Sequence, residues 1–300
     1  MAAKRWYGRD TQLTLRMGFT LFLLALLYAV FLAVLWKATG SFVLLVFAGA
    51  AMVLFQYFAS DKLVLLSTGA HEVTPQQEPE LYRIITRLSQ LADLPPPRVA
   101  IMETMVPNAF ATGRSPKHAV IAVTRGITQL LDPQELESVL GHEMSHIKNR
   151  DMMVLTYASL FASVASFIVQ IGAWTGFGMG DRDDRNGNSA AVIFLVSAAV
   201  WAISFFLLRA LSRYREYSAD RGSVLLTGSP ATMRSALLKV SGTMQRIPNA
   251  DLRTAQSMNA FFIVPQVKSV TVELFSTHPT LEHRLARLEA MEQNMNKLGR

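Results

Sequence analysis

The sequence has no cysteine, which excludes disulfides and a thiol nucleophile. Charge is also scarce. Asp, Glu, Lys and Arg make up 17% of the 300 residues, against 51% hydrophobic residues and a mean hydropathy of +0.26. That balance does not describe an ordinary soluble enzyme. Histidine occurs only six times, so the spacing of any two histidines carries information.

The apolar excess lies in four blocks: Met17 to Trp36, Phe42 to Phe58, Met152 to Trp174 and Ala190 to Leu211. Each is long enough to cross a bilayer, and the near absence of charge inside all four argues against buried core helices. The first block lacks a small-residue cleavage site followed by a polar mature sequence, so it reads as an uncleaved signal anchor. Lys4, Arg5, Arg9 and Arg16 precede the first block and Lys62 follows the second. Lys148 and Arg150 precede the third, and Arg209, Arg213 and Arg215 mark the end of the fourth. This asymmetry orients the N-terminus, the middle segment and the C-terminal segment towards the cytosol. The net charge of +7 sits mostly beside these blocks, where anionic lipid accounts for it; nucleic acid is not an expected partner.

Between the blocks the chain alternates helical and extended patterns. Asp61 to Thr74 is apolar and β-leaning up to Pro75; Leu81, Ile84, Ile85, Leu88 and Leu91 then recur at helical spacing. Arg98 to Met105 and Lys117 to Thr124 are short β-branched runs, which predict a small antiparallel sheet. Between them, Asn108-Ala109-Phe110-Ala111 forms either an ordinary turn or an edge strand able to bind an extended peptide by main-chain hydrogen bonds. In the acidic turn from Gly180 to Gly187, placing Gly187 at the sixth calcium-loop position puts Arg182 first and Ile193 twelfth, where carboxylates are required, so the turn reads as solvated. Met258 to Val264 is apolar but too short to span. After Ser229-Pro230 a helix is expected to about Gln245, and a last one carries Leu281, Leu285, Leu288, Met291 and Met295.

The chemistry centres on His142-Glu143-Met144-Ser145-His146. In a helix, histidines four residues apart share a face, so both imidazoles can reach one metal ion while Glu143 addresses the water. Asp132 as N-cap, Pro133 at the first helical position and Glu135 in capping-box register predict that helix. A catalytic zinc usually takes three protein ligands. Directly after the fourth apolar block, Glu216 and Asp220 lie four residues apart, and a membrane hairpin would return them to the depth of His142 and His146. Glu216 is then the expected third ligand, with Asp220 behind it accepting an imidazole N–H. The competing reading is a surface helix with Arg215 and Glu216 solvated. His71, His118 and His283 have no partner at ligand spacing.

The chain resembles the membrane-bound M48 metalloproteases, and within them the HtpX-type heat-shock-associated proteases. Four motifs in order carry the resemblance: Asn108 to Gly113, His142 to His146, Glu216 to Asp220, and Thr277-His278-Pro279 with Arg284 beyond. The resemblance implies an α+β integral membrane protein with four transmembrane helices and a mainly helical, zincin-like cytosolic domain. It further implies one Zn2+ held by His142, His146 and Glu216, with Glu143 as base. His278 is either a stabiliser of the transition state or a helix-start histidine bonded to backbone. Expected substrates are misfolded or damaged membrane polypeptides, cut at the cytosolic face of a bacterial inner membrane. The CAAX-processing branch of the family has more spans than this chain offers. The expected segments are 1–60, 61–151, 152–211 and 212–300: a hairpin, a protease part with the histidine helix, a second hairpin, and a protease part with the third ligand. A catalytically silent zinc-containing scaffold is the alternative from another class, and a transporter is disfavoured because the apolar blocks hold almost no ionisable residues.

Overall fold

The computed structural model describes residues 10–39, 64–175, 185–247 and 278–297. Two compact units divide the chain: Met1–Asp10 with Ala59–Met153 and Ser212–Arg300, and Thr11–Phe58 with Val154–Leu211.

In the first unit, strands β1 (His71–Glu72), β2 (Arg98–Met102), β3 (Ala109–Thr112) and β4 (Val120–Thr124) form one sheet in the order β1-β2-β4-β3. The sheet is mixed rather than antiparallel, because β2 and β4 run parallel while β1–β2 and β3–β4 are antiparallel. The reason is topological. The chain reverses after β2 and again after β3, so β4 regains the direction of β2, and it then inserts between β2 and β3. Among the described residues of the β-leaning lead-in, His71–Glu72 pair as a strand, while residues 64–68 are helical, with the Thr68 hydroxyl donating to the Val64 carbonyl.

Helices cover this sheet. The first of them in this unit, α2 (Pro79–Ala92), buries Leu81, Ile85 and Leu88 at helical spacing and leaves Leu91 out. A short α3 (Arg125–Leu130) is capped by the Thr124 side chain. It can follow β4 at once because residue 126 is glycine: a Cβ there would lie 2.1 Å from the Met105 carbonyl oxygen. Helix α4 (Pro133–Asn149) begins with the capping box that its sequence predicts. The Asp132 carboxylate accepts from the Gln134 and Glu135 amides, and Glu135 Oε2 accepts from the Asp132 amide at 3.0 Å. The same Glu135 carboxylate receives Ser235 Oγ and Lys239 Nζ, both at 2.6 Å, which ties the start of α4 to α7 (Pro230–Met244). Ser229 caps α7, and α8 (Leu281–Lys297) buries Leu288, Met291 and Met295 along one side.

The second unit draws on α1 (Thr11–Thr39), α5 (Asp151–Thr175) and α6 (Arg185–Thr227). Leu24, Tyr28, Phe31 and Leu35 of α1 pack with Ala158, Ala165 and Val200, and the Tyr28 hydroxyl donates to the Ala158 carbonyl at 2.7 Å. Leu15, Phe19, Phe22, Phe167 and Leu195 face outward. Exposed side chains of that size have a favourable environment in a lipid bilayer. Among the described residues, three helices are long and apolar enough to cross a membrane, within Thr11–Lys37, Asp151–Gln170 and Ala191–Thr227. The expected second span, Phe42 to Phe58, lies outside the described residues, as do Met258 to Val264 and most of the acidic turn.

Replacing Asp132 with Ala removes the α4 cap without touching the site. A lower thermal midpoint of detergent-solubilised protein is expected, with its bound-metal content unchanged.

Candidate metal centre

His142 and His146 project from one face of α4 with ring centroids 4.7 Å apart, and α6 brings Glu216 to them. The two Nε2 atoms are 3.1 Å apart. His142 Nε2 lies 3.5 Å from Glu216 Oε2, and His146 Nε2 lies 3.5 Å from Glu216 Oε1. A tetrahedral ion with metal–ligand distances of about 2.0–2.1 Å has ligand–ligand edges of about 3.3–3.4 Å. The histidine–histidine distance and the two histidine–carboxylate distances, one to each Glu216 oxygen, are close to such edges, and one donor atom from each of the three residues lies within 4.8 Å of the others, so together they could hold a metal ion. The competing picture of a solvated Arg215–Glu216 pair is wrong here: Glu216 and Arg215 are both buried.

Each imidazole is braced from behind. His142 Nδ1 lies 2.9 Å from Asp220 Oδ1. Asp220 is held in turn by Arg284, whose Nε and Nη2 donate to its two oxygens at 2.9 and 2.6 Å. His146 Nδ1 lies 2.6 Å from Asp151 Oδ2. Arg284 is 1% exposed, so its charge in the interior depends on anionic partners: Asp220, and Glu216, whose Oε2 lies 3.8 Å from Nη1. Neither Asp151, which immediately precedes the third apolar block, nor the Asp220–Arg284 fork could be assigned from the sequence.

The electrostatics follow from this packing. Burial alone would lower His142, but the Asp220 and Glu216 carboxylates outweigh it and raise its pKa to about 9. Burial, aided by the charge on His142, pushes His146 down. With each Nδ1 facing a carboxylate, the two Nε2 atoms converge 3.1 Å apart, an arrangement satisfied by one shared proton or by one cation held between them. Burial raises Glu143, which makes it a stronger base than a surface glutamate; the Ala111 backbone amide donates to its carboxylate.

The remaining expected residues are placed as follows. Ala109, Phe110 and Ala111 lie on β3, at the edge of the sheet, and Asn108 precedes them with its amide donating to Thr124 Oγ1 at 2.9 Å. His278 is brought to the site by the start of α8, with Nδ1 at 3.1 Å from Glu216 Oε2. An open cleft beside β3 is lined by Ala111, Thr112, Pro116, His146, Ile147 and Met152.

The model of peptidase family M48 matches residues 75–292, which takes in β3, the α4 histidines, Glu216 and Arg284. The chain belongs to peptidase family M48. Within M48 it is similar to "Protease HtpX homolog" of Moorella thermoacetica, at 56% identity over 298 residues, covering 98% of this chain and 99% of that protein. It is also similar to "Protease HtpX homolog 2" of Methanosarcina acetivorans, at 53% identity over 295 residues, with 98% and 100% covered. "Crystal Structure of S. mikatae Ste24p" matches with a TM-score of 0.55 over 93% of this chain and 67% of that one; at 18% identity it supports the fold. The full-length similarity, the apolar helices and the ligand set make this M48 chain an HtpX-type membrane metalloprotease.

Small residues let the two ligand-bearing helices meet. A Cβ on Gly222 of α6 would lie 2.2 Å from Ser145 Oγ and 2.6 Å from Ser145 Cβ, and one on Gly141 would lie 3.3 Å from Ser223 Oγ. Gly222→Ala therefore forces α6 away from α4. A destabilisation of about 1–3 kcal/mol is expected, together with weaker metal retention on dialysis against a chelator. Unchanged retention would show that the donors tolerate helix separation.

Proposed function

We propose that the chain is a zinc endopeptidase that cleaves misfolded or damaged membrane polypeptides at the cytosolic face. The observation that carries this is the convergence of His142, His146 and Glu216 on one point, with Glu143 between the histidines in sequence and buried beside them. Two imidazoles and one carboxylate are the ligand set of open, catalytic zinc sites, whereas structural sites tend to close all four positions with protein.

His142, His146 and Glu216 hold the ion. When bound, zinc supplies Lewis-acid polarisation of water and of the scissile carbonyl. Glu143 accepts the proton of the attacking water and delivers it to the leaving amine. Its raised pKa suits both halves of that transfer, because a carboxylate too acidic would not take the proton. Ala109 to Ala111 pair with an extended substrate along the outer edge of β3, the last strand of the sheet, and Asn108 fixes the approach to that strand. His278, beside Glu216, stabilises the charge that develops on the carbonyl oxygen. The cytosolic orientation is supported by the arginines and lysines that flank the apolar blocks. The turnover of damaged membrane proteins is supported by the resemblance to the HtpX group.

A Glu143→Gln variant is expected to keep its zinc and to lose peptide cleavage by about 10²–10⁴-fold. Unchanged cleavage would remove Glu143 from the chemistry and favour the silent scaffold. Alanine at His142, His146 or Glu216 is expected to abolish stoichiometric zinc in each case, measured by elemental analysis of protein purified in detergent.

A further inference from the structure

Asp151 belongs to none of the motifs, yet it is 3% exposed and touches a ligand histidine. In one continuous helix a residue five positions after His146 would lie about 140° around the axis, out of reach of that side chain. The helix is broken in between. Arg150 takes a left-handed conformation (φ 56°), and its amide donates back to the His146 and Ile147 carbonyls. The chain restarts as α5 at Asp151, whose carboxylate thereby folds over His146 and places Oδ2 2.6 Å from Nδ1. The other oxygen, Oδ1, pairs with Nη2 of Arg215, which also donates to the Asn149 carbonyl at 3.4 Å. Arg215 is 4% exposed and immediately precedes Glu216 on α6.

The arrangement mirrors the one behind His142, where Asp220 meets Nδ1 and Arg284 holds Asp220. His146 needs it more. Its side chain is 15% exposed against 1% for His142, and it lines the open cleft, so packing restrains its ring less.

We propose that Asp151 and Arg215 act as a positioning pair for His146. Asp151 accepts the Nδ1 proton, which fixes the tautomer and turns the Nε2 lone pair towards the metal point; Arg215 holds Asp151 in that orientation. Because Arg215 adjoins Glu216, the pair also links the third ligand to the second through one salt bridge. The inference rests on His146 being a metal ligand.

The test uses the full chain in detergent micelles. Zn2+ affinity is measured by chelator competition for wild type, Asp151→Asn, Arg215→Met, Arg215→Lys and the double variant Asp151→Asn/Arg215→Met, with His146→Ala as reference. The thermal midpoint of each metal-free protein is measured alongside. Asp151→Asn and Arg215→Met are expected to weaken zinc by about 10–100-fold, and the double variant to be no worse than the weaker single, because the two act as one unit. Arg215→Lys keeps the charge but loses the planar fork, and is expected to weaken zinc by at least about threefold; this milder substitution decides the matter if the other variants do not fold. Cobalt-substituted Asp151→Asn is expected to show a shifted visible absorption band. Wild-type zinc affinity and an unshifted cobalt band in the variants, with only the metal-free midpoint lowered, would mean a purely structural salt bridge and overturn the pair. Wild-type zinc affinity in His146→Ala would instead overturn the assignment of the metal site.

Discussion

A methyl group at Gly222 would sit 2.2 Å from the Ser145 hydroxyl, so α4 and α6 can lie side by side only because both helices present small residues where they meet. Gly141 and Ser145 on one helix face Gly222 and Ser223 on the other, and Ser223 Oγ donates to the Ser138 carbonyl at 2.6 Å. Everything at the candidate centre depends on this spacing. The two imidazoles have fixed positions on α4 once the helix forms, but Glu216 reaches them only if the helix backbones come this close. The residues between the histidines are therefore as constrained as the histidines themselves: Ser145 is both a neighbour of Gly222 and a donor to the Gly141 carbonyl.

The same spacing creates a second requirement. It buries a set of charged groups, and buried charge is stable only when each group meets a partner. Asp220 is matched by Arg284, and Asp151 by Arg215. The histidines stand between these pairs and the metal point, so charge pairing and ligand orientation are achieved by the same contacts. An imidazole whose Nδ1 proton is accepted by a carboxylate presents a more basic Nε2 to a cation. The arginines therefore belong to the candidate centre as much as the carboxylates do, and Arg284 also reaches Glu216, with Nη1 at 3.8 Å from Oε2.

Helix α6 joins two kinds of sequence in one run of 43 residues. Its first part is apolar enough to cross a membrane and its last part carries Arg215, Glu216, Asp220 and Gly222. The break between α4 and α5 at Arg150 does comparable work over a shorter distance. It ends the histidine helix, starts an apolar one, and turns the first residue of the latter back onto His146.

The histidine helix was legible in the sequence because its determinants are local. The capping box Asp132–Glu135, Pro133 and the i, i+4 histidines all act within a few residues of one another, and the structure reproduces each contact. Glu216 and Asp220 were legible for a related reason: their own spacing is local, and the apolar blocks on either side implied a chain that goes out and returns. The sheet was not. Its strands were visible, but β4 inserts between β2 and β3, and strand order is decided by which faces the helices cover, which no local pattern records. Asp151 and Arg215 escaped detection for the same physical reason. Their roles require a left-handed residue at Arg150 and the packing of α6 against α4, and both are outcomes of tertiary folding. The sequence by itself determined which side chains could bind metal and on which helices they ride. Only the tertiary structure decided what holds those side chains in place, because burial and long-range charge pairing exist only after the helices have met.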